Sequence, residues 1–405
     1  MSNKFILLAA AATTGWAAPA LAKAGDPIAL SDGVTFDPMV STRLRYETVG
    51  QESAAEDADA LTVRLRLGAE VKAEGFSFLA EGEGTLALVE DYNDTLPGNG
   101  VEPFPVIADP ENLELNRLQV SYKQGGSGVT LGRQRIILDN ARFVGNVGWR
   151  QNEQTFDAVR GEAKLGPVAL DATYAISQRT IFGTDSPNEY FDGDIVLLNA
   201  AADLKPVTVT GFAYLVDYDT RVAFSSQTFG ISAAGSFPIG ESLKLSVAVS
   251  YATQSDMGAN PVSYDADYLN LEAGLGIKGF TLKAGYEELG TDGGTASFQT
   301  PLATLHAFNG WADLFLTTPA AGLRDYYASA SYGFPQVTAL PGLKLAVTYH
   351  KFESDMGGSD YGSEIDASLG FKVGPVSLLA KYADYDADLF GADTQKFWLQ
   401  AEYGF

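Results

Sequence analysis

The sequence predicts an all-β protein, an antiparallel transmembrane β-barrel of about 18 strands with short periplasmic turns and long extracellular loops. Three observations point there. Apolar and polar residues alternate with period two through one ten-residue segment after another, the signature of strands with one apolar and one polar face. The connections between those segments alternate between very short and long polar ones, as in barrels of the outer-membrane type. The chain stops on QKFWLQAEYGF (395–405), where Phe397, Leu399, Ala401, Tyr403 and Phe405 take every second position.

The first element is a leader. Lys4 precedes an apolar run from Phe5, and Ala20-Leu21-Ala22 forms a small-x-small cleavage signature, so residues 1–22 are expected to be a secretory signal peptide and to play no part in the fold. Residues 23–39 are expected to be a periplasmic lead-in, and 40–405 the barrel. No later stretch reaches the ~18 apolar residues of a transmembrane helix. Cysteine is absent, which excludes disulfides and thiolate metal sites. Hydrophobic residues make up 46% of the chain, yet mean hydropathy is near zero, so the two kinds of residue are interleaved rather than blocked. A formal charge of −24 argues against nucleic acid as a partner.

The strand segments follow in order, beginning near residues 40, 60, 76, 115, 128, 155, 168, 194, 206, 222, 242, 266, 279, 323, 342, 361, 375 and 394. LTVRLRLGAEVKAEG sets Leu61, Val63, Leu65, Leu67, Ala69 and Val71 against Thr62, Arg64, Arg66, Gly68, Glu70 and Lys72. LKLSVAVSY (243–251) and LKLAVTYH (343–350) repeat the pattern. Short turns are read at 74–75, 165–167, 278–279 and 373–375, and long loops at 50–58, 91–112, 136–153, 181–193, 288–322 and 353–360. A soluble sandwich or propeller also alternates, but no repeat of 40–50 residues is present. An even strand count leaves both ends of the barrel on the periplasmic side. In hydrocarbon an unpaired strand edge is intolerable, so the last strand must pair with the first. That last strand resembles the C-terminal signal of bacterial outer-membrane proteins, read by the barrel-assembly machinery through a terminal aromatic, here Phe405. The expected surroundings are outer-membrane lipid and lipopolysaccharide.

Eleven of the thirteen arginines fall between residues 43 and 179. Arg43, Arg45, Arg64 and Arg66 share the polar face of the first two strands, Arg117 alternates with Leu118 and Val120, and Arg179 continues the face of Asp171 and Thr173. A charge on the lipid side costs ~2–4 kcal/mol at the midplane, so these six guanidiniums are assigned to the lumen. Lining side chains select by sign, and the guanidinium fork matches carboxylates. The alternative is that the arginines pair with Glu70, Glu81 and Glu83 and merely pack the lumen. Arg133 and Arg135 share parity with Val129 and Leu131, so either Gly132 resets the register or they sit at the rim; Arg160 is equally open.

No chemistry is legible. There are two histidines, His306 in a long loop and His350 on a lumen-facing parity; GxSxG is absent, and no Ser/His/Asp spacing stands out. Acidic loops such as QESAAEDADA and ESDMGGSDYGSEID lack EF-hand spacing and read as solvated surface. No enzyme activity, catalytic residue, cofactor or metal is expected.

Two blocks, VTLGRQRIILDNARFVGNVGWRQNEQTFDAVR (129–160) and FQTPLATLHAFNGWADLFLTTPAAGLRDYYASASY (298–332), with RLRYE at 43–47, resemble the alginate-export family of bacterial outer-membrane barrels. The resemblance implies an eighteen-stranded monomeric barrel with an arginine-rich pore for anionic uronate polymers. The expectation is therefore an outer-membrane channel in which Arg43, Arg45, Arg64, Arg66, Arg117 and Arg179 line a path for anionic small molecules or acidic polysaccharide. A general diffusion porin is the alternative, and an adhesin-like barrel with a plugged lumen is a third. A polymer exporter also needs a periplasmic gate, whereas the longest turn on that side is PQVTALPG (335–342). Loops 91–112 and 288–322 are long enough to fold inward.

Overall fold

A computed structural model describes residues 25–96, 103–240 and 242–405. The predicted signal peptide, 1–22, lies outside them. Among the described residues, eighteen long strands make the barrel: β1 (Val34–Gln51), β2 (Ala58–Ala73), β3 (Phe76–Asp91), β4 (Asn112–Gln124), β5 (Ser127–Gln134), β6 (Thr155–Leu165), β7 (Val168–Arg179), β8 (Tyr190–Asp203), β9 (Val207–Tyr218), β10 (Ser226–Ile239), β11 (Leu243–Asp256), β12 (Asp265–Ile277), β13 (Phe280–Leu289), β14 (Leu323–Gly333), β15 (Lys344–Glu353), β16 (Asp360–Val373), β17 (Val376–Ala387) and β18 (Thr394–Gly404). Each pairs antiparallel with its chain neighbour. A short strand, Ile28–Ser31, folds back on the start of β1.

Closure comes from β18 against β1, in register from Ser41–Gly404 to Gln51–Thr394. Phe405 completes it: its N–H donates to the Val40 carbonyl and its carbonyl accepts from the Val40 N–H, both at 2.9 Å. The terminal aromatic is thus the last rung of the seam that closes the sheet on itself. Side chains alternate across the wall as the pleat demands. On β18, Leu399 is 48% exposed on the outside while its neighbour Trp398 is fully buried within.

Turns at the periplasmic end are tight. Glu74-Gly75 and Lys278-Gly279 both take positive φ at both residues, the geometry whose twist matches two antiparallel strands. At the other end the chain is longer, and β10 starts at Ser226 rather than near 222 because Val222–Phe224 forms a 3-10 turn.

Two long loops, 135–154 and 290–322, fold into the lumen and build a core inside the barrel. Phe143 packs among Phe212, Tyr268 and Phe298, at ring separations of 4.9, 5.1 and 6.1 Å. The inward faces of β8, β9 and β12 therefore carry Phe191, Phe212, Tyr214, Tyr218 and Tyr268 rather than a purely polar set. Burying these rings against the loops contributes the usual ~25 cal/mol per Å² of apolar area.

Gly132 does not reset the register: β4 and β5 pair without interruption through Gln119–Gly132 and Leu118–Arg133. A side chain there would run into the Leu118 carbonyl, and φ is +115°. Arg133 accordingly keeps the parity of Leu131 at the end of β5, where Asp157 holds it at 2.8 and 2.9 Å. Arg135, one residue beyond the strand, turns inward to the buried Glu153. Arg160 is on the inner face and bonds Asp171 at 2.7 Å.

Candidate functional site

The wall formed by β1 and β2 carries the arginine cluster. Arg43 and Arg45 are two residues apart on one strand and face Arg64 and Arg66 on the next, because Arg43 pairs with Arg64 and Ser41 with Arg66 in the ladder. All four side chains are buried. Four guanidiniums so close are tolerable only if acceptors surround them.

Those acceptors come largely from loop 135–154. Arg43 Nη1 donates to the carbonyls of Gly148, Trp149 and Arg150 at 3.1, 2.9 and 3.1 Å. Arg45 Nη2 donates to the Trp149 carbonyl at 2.5 Å and to Gln400 at 2.6 Å, and its guanidinium lies 4.0 Å over the Trp149 ring. Arg66 bonds Glu83 and reaches the Gln151 carbonyl at 3.2 Å. Arg43 and Arg64 share a single carboxylate, Glu402. Arg64 donates from Nη2 to Ser41, at 2.6 Å, while its Nε and Nη1 find no protein acceptor.

Arg117 pairs with Glu81 through two bonds of 2.9 Å. Arg179 pairs with Glu189 and lies 3.9 Å from Glu114. Of the three glutamates that the sequence offered as packing partners, Glu81 and Glu83 bind arginines and Glu70 binds Lys72. Five of the six predicted residues point inward; Arg179 does not, because the register shift between Ala175 and Ser177 turns Gln178 into the lumen and sets Arg179 beside the exposed Tyr190 on the outer face. The surroundings are of two kinds. Arg43, Arg45, Arg64 and Arg66 sit beneath the inserted loop, whereas Arg117 and Arg179 are partly exposed.

Residues of two loops extend the network. Arg150 bridges Glu47 and Asp313, both at 3.1 Å, joining the barrel wall to loop 290–322. Asp109, from the loop after β3, lies 3.5 Å from Arg45 and accepts from the Gln151 N–H at 2.7 Å. Burial alone would raise the Glu153 carboxyl, but Arg66 and Arg135 outweigh it and bring it to about 2. It is a fixed anion at any ordinary pH.

Loop 290–322 is fastened by an aromatic box. Lys381, on the inner face of β17, places its ammonium 3.5 Å over Trp311 and 4.0 Å over Trp149, and 2.6 Å from His306 Nε2. His306 stacks on Trp149 at 4.5 Å and bonds Asp313 at 2.8 Å through Nδ1. Burial drives this imidazole well below its ordinary value despite the aspartate, so it stays neutral and can accept from Lys381. The histidine that the sequence left as a lone loop residue is the centre of the fastening.

Acidic side chains gather on β13, β14 and β16. Arg142 of loop 135–154 binds Glu287 at 2.7 Å, Asn309 bonds Glu287 at 2.6 Å, and the Ala312 N–H donates to Glu364 at 2.8 Å. His350 bonds Asp325 at 2.9 Å. The lumen therefore has a cationic wall on β1–β2 and an anionic one on β13–β16.

The loops leave space on both sides. On the loop side a cavity of about 520 Å³ reaches Arg150, His306, Asp313 and Lys396. On the turn side one of about 540 Å³ is lined by Lys72, Gln119, Ser121, Arg135, Arg160 and Glu162, among others. Sequence reasoning found Arg142 and Arg150 within the block that resembles the alginate-export family but did not place them, and it missed Trp149, Lys381 and Arg221. Of the missed three, Lys381 left a signal, its lumen-facing place in the alternation of VSLLAKYA.

No family model and no curated protein matches the chain. The fold is matched by solved structures. Pseudomonas aeruginosa OccK9 (OpdG) superposes with a TM-score of 0.72 at 16% identity, covering 92% of this chain and 98% of that one. Acinetobacter baumannii OccAB2 gives 0.71 at 17%, covering 92% and 98%. Pseudomonas aeruginosa OpdK, solved with vanillate, gives 0.71 at 16%, covering 91% and 98%. At these identities the likeness is one of fold.

Proposed function

We propose that the chain is an outer-membrane channel that passes anionic solutes down a gradient, with Arg43, Arg45, Arg64, Arg66 and Arg117 supplying the positive wall. The observation that carries the reading is the concentration of guanidiniums on the inner face of β1 and β2, two of them sharing one carboxylate. Such a wall replaces part of an anion's hydration and raises its local concentration. Pseudomonas aeruginosa OpdK, one of the structures of like fold, was solved with vanillate, a carboxylate.

Within that reading, monomeric or short uronates and other small carboxylates suit the lumen better than a long polymer. Loop 135–154 is bonded to the arginine wall by at least three consecutive carbonyls, and a polysaccharide strand would have to displace it. The alginate-export resemblance thus supports the arginine-lined barrel more than it supports export. A second reading, a general diffusion porin, is favoured by one observation: the acids of β13–β16 set a transverse field against the arginines, which acts on any small solute.

Proteoliposome swelling separates them. The first reading predicts faster entry of galacturonate than of galactose, with the advantage lost when Arg43, Arg45, Arg64 and Arg66 are all alanine, and reversible block by oligouronates. Equal entry of the two sugars assigns the channel to general diffusion. Entry of neither contradicts both readings.

A further inference from the structure

Among the described residues, twelve of the thirteen arginines have a carboxylate within ion-pair distance, and Arg221 has none. It is in the loop between β9 and β10 and lines the 520 Å³ cavity on the loop side. Its guanidinium lies 4.0 Å from the centre of the Phe224 ring and 4.8 Å from that of Phe191. The rings hold the cation through their π faces, and among the described residues its N–H groups meet no acceptor, which leaves the fork free for a carboxylate.

The backbone around it is preset. The Phe224 N–H donates to the Arg221 carbonyl at 2.9 Å, the Ser225 hydroxyl accepts from the Tyr218 N–H at 2.9 Å, and Asn260 donates to the Ser225 carbonyl at 2.8 Å. Three cations, Arg150, Arg221 and Lys396, and one carboxylate, Asp313, line the cavity. That aspartate is already bonded to Arg150, Lys396 and His306. The cavity is therefore positive in a chain of net charge −24. Much of the rest of its wall is apolar, with Phe182, Phe191, Phe224, Leu305 and Leu314. A volume in the ~300–1,000 Å³ range of small-molecule sites, one free guanidinium and an apolar wall describe a single ligand chemistry.

We propose that this vestibule is a capture site for monocarboxylates with a planar apolar body, with Arg221 gripping the carboxylate and the phenyl rings covering the body. The inference rests on the reading of the chain as an anion channel and deepens it. The arginine wall attracts any anion; the vestibule sorts anions by what the carboxylate is attached to. Hydrophilic uronates gain little from the phenylalanines, whereas an aryl carboxylate gains both contacts.

The test is block of chloride current through the full chain in a planar bilayer, with benzoate or acetate added on the loop side. Wild type is expected to be half-blocked by benzoate at a concentration at least about tenfold below that for acetate. Arg221→Gln should raise the benzoate value about tenfold and move the acetate value less than about twofold. Equal shifts for the two anions, or none, overturn the proposal. Should Arg221→Gln fail to assemble, Phe224→Leu retains the guanidinium and removes one ring. It should weaken benzoate about threefold with acetate unmoved, and no change there overturns the proposal equally. A wild type that prefers cations sinks the channel reading itself. An anion-selective wild type blind to the difference between benzoate and acetate sinks only the vestibule.

Discussion

Replacing Arg45 by alanine removes the side chain that ties the inserted loop to the barrel seam. In the native lumen it donates to the Trp149 carbonyl at 2.5 Å and Gln400 at 2.6 Å, lies 4.0 Å over the Trp149 ring, and is 3.5 Å from Asp109. Both ion-pair side chains are essentially inaccessible, at 0% and 1%. Deleting one member of such a pair leaves a buried charge uncompensated, at about 3–5 kcal/mol. Arg150 at 3.7 Å and the Gln151 N–H at 2.7 Å still serve Asp109, which favours the lower end of that range. A loss of about 3 kcal/mol shifts the docking equilibrium of loop 135–154 roughly a hundredfold toward the free form. Single-channel recording is the assay: Arg45→Ala should show larger, noisier openings than wild type, and Arg45→Lys an intermediate pattern, since it restores charge without the fork. Unchanged conductance and noise in Arg45→Ala would refute the claim that this arginine holds the loop.

Other consequences are smaller. Lys381→Met removes an ammonium from the Trp149 and Trp311 faces and should weaken docking of loop 290–322 by about 1–2 kcal/mol, read as faster hydrogen exchange at residues 305–315. Acidification should do the same. The docked loop holds His306 neutral, its affinity for a proton lowered by burial, while a free loop takes one up below about pH 6.5, so docking is complete above that pH and is lost as pH falls through it. Exchange rates in 305–315 that do not rise between pH 7 and pH 5 would contradict this. On the outside, Leu399→Arg places a charge in the lipid-facing band of the closing strand and should cost ~2–4 kcal/mol, visible as less heat-modifiable folded barrel on gels.

The barrel was legible because its two faces meet different solvents. Alternation placed strand starts close to Ala58, Phe76, Ser127, Val168 and Thr394, and the pairing of Phe405 with Val40 follows from the need to close the seam. Arginine parity was legible for the same reason at Arg43, Arg45, Arg64 and Arg66. What the arginines touch was not, since their main acceptors are backbone carbonyls of residues 148–151, and a carbonyl carries no sequence signal. The inward fold of 135–154 was hidden as well. Its apolar residues, Ile136, Leu138, Phe143 and Val144, are matched by aromatics scattered over β9 and β12, a pairing that only the closed cylinder brings together. Arg221 escaped because it stands outside the arginine-rich half of the chain, and its distinction is the lack of a carboxylate partner among the described residues.

The reversal potential of the reconstituted channel across a potassium chloride gradient tests the central claim most directly. A positive inner wall on β1 and β2 predicts chloride preference in wild type and its loss when Arg43, Arg45, Arg64 and Arg66 are all alanine. A wild-type channel that prefers potassium, or a quadruple variant as chloride-selective as wild type, would contradict it.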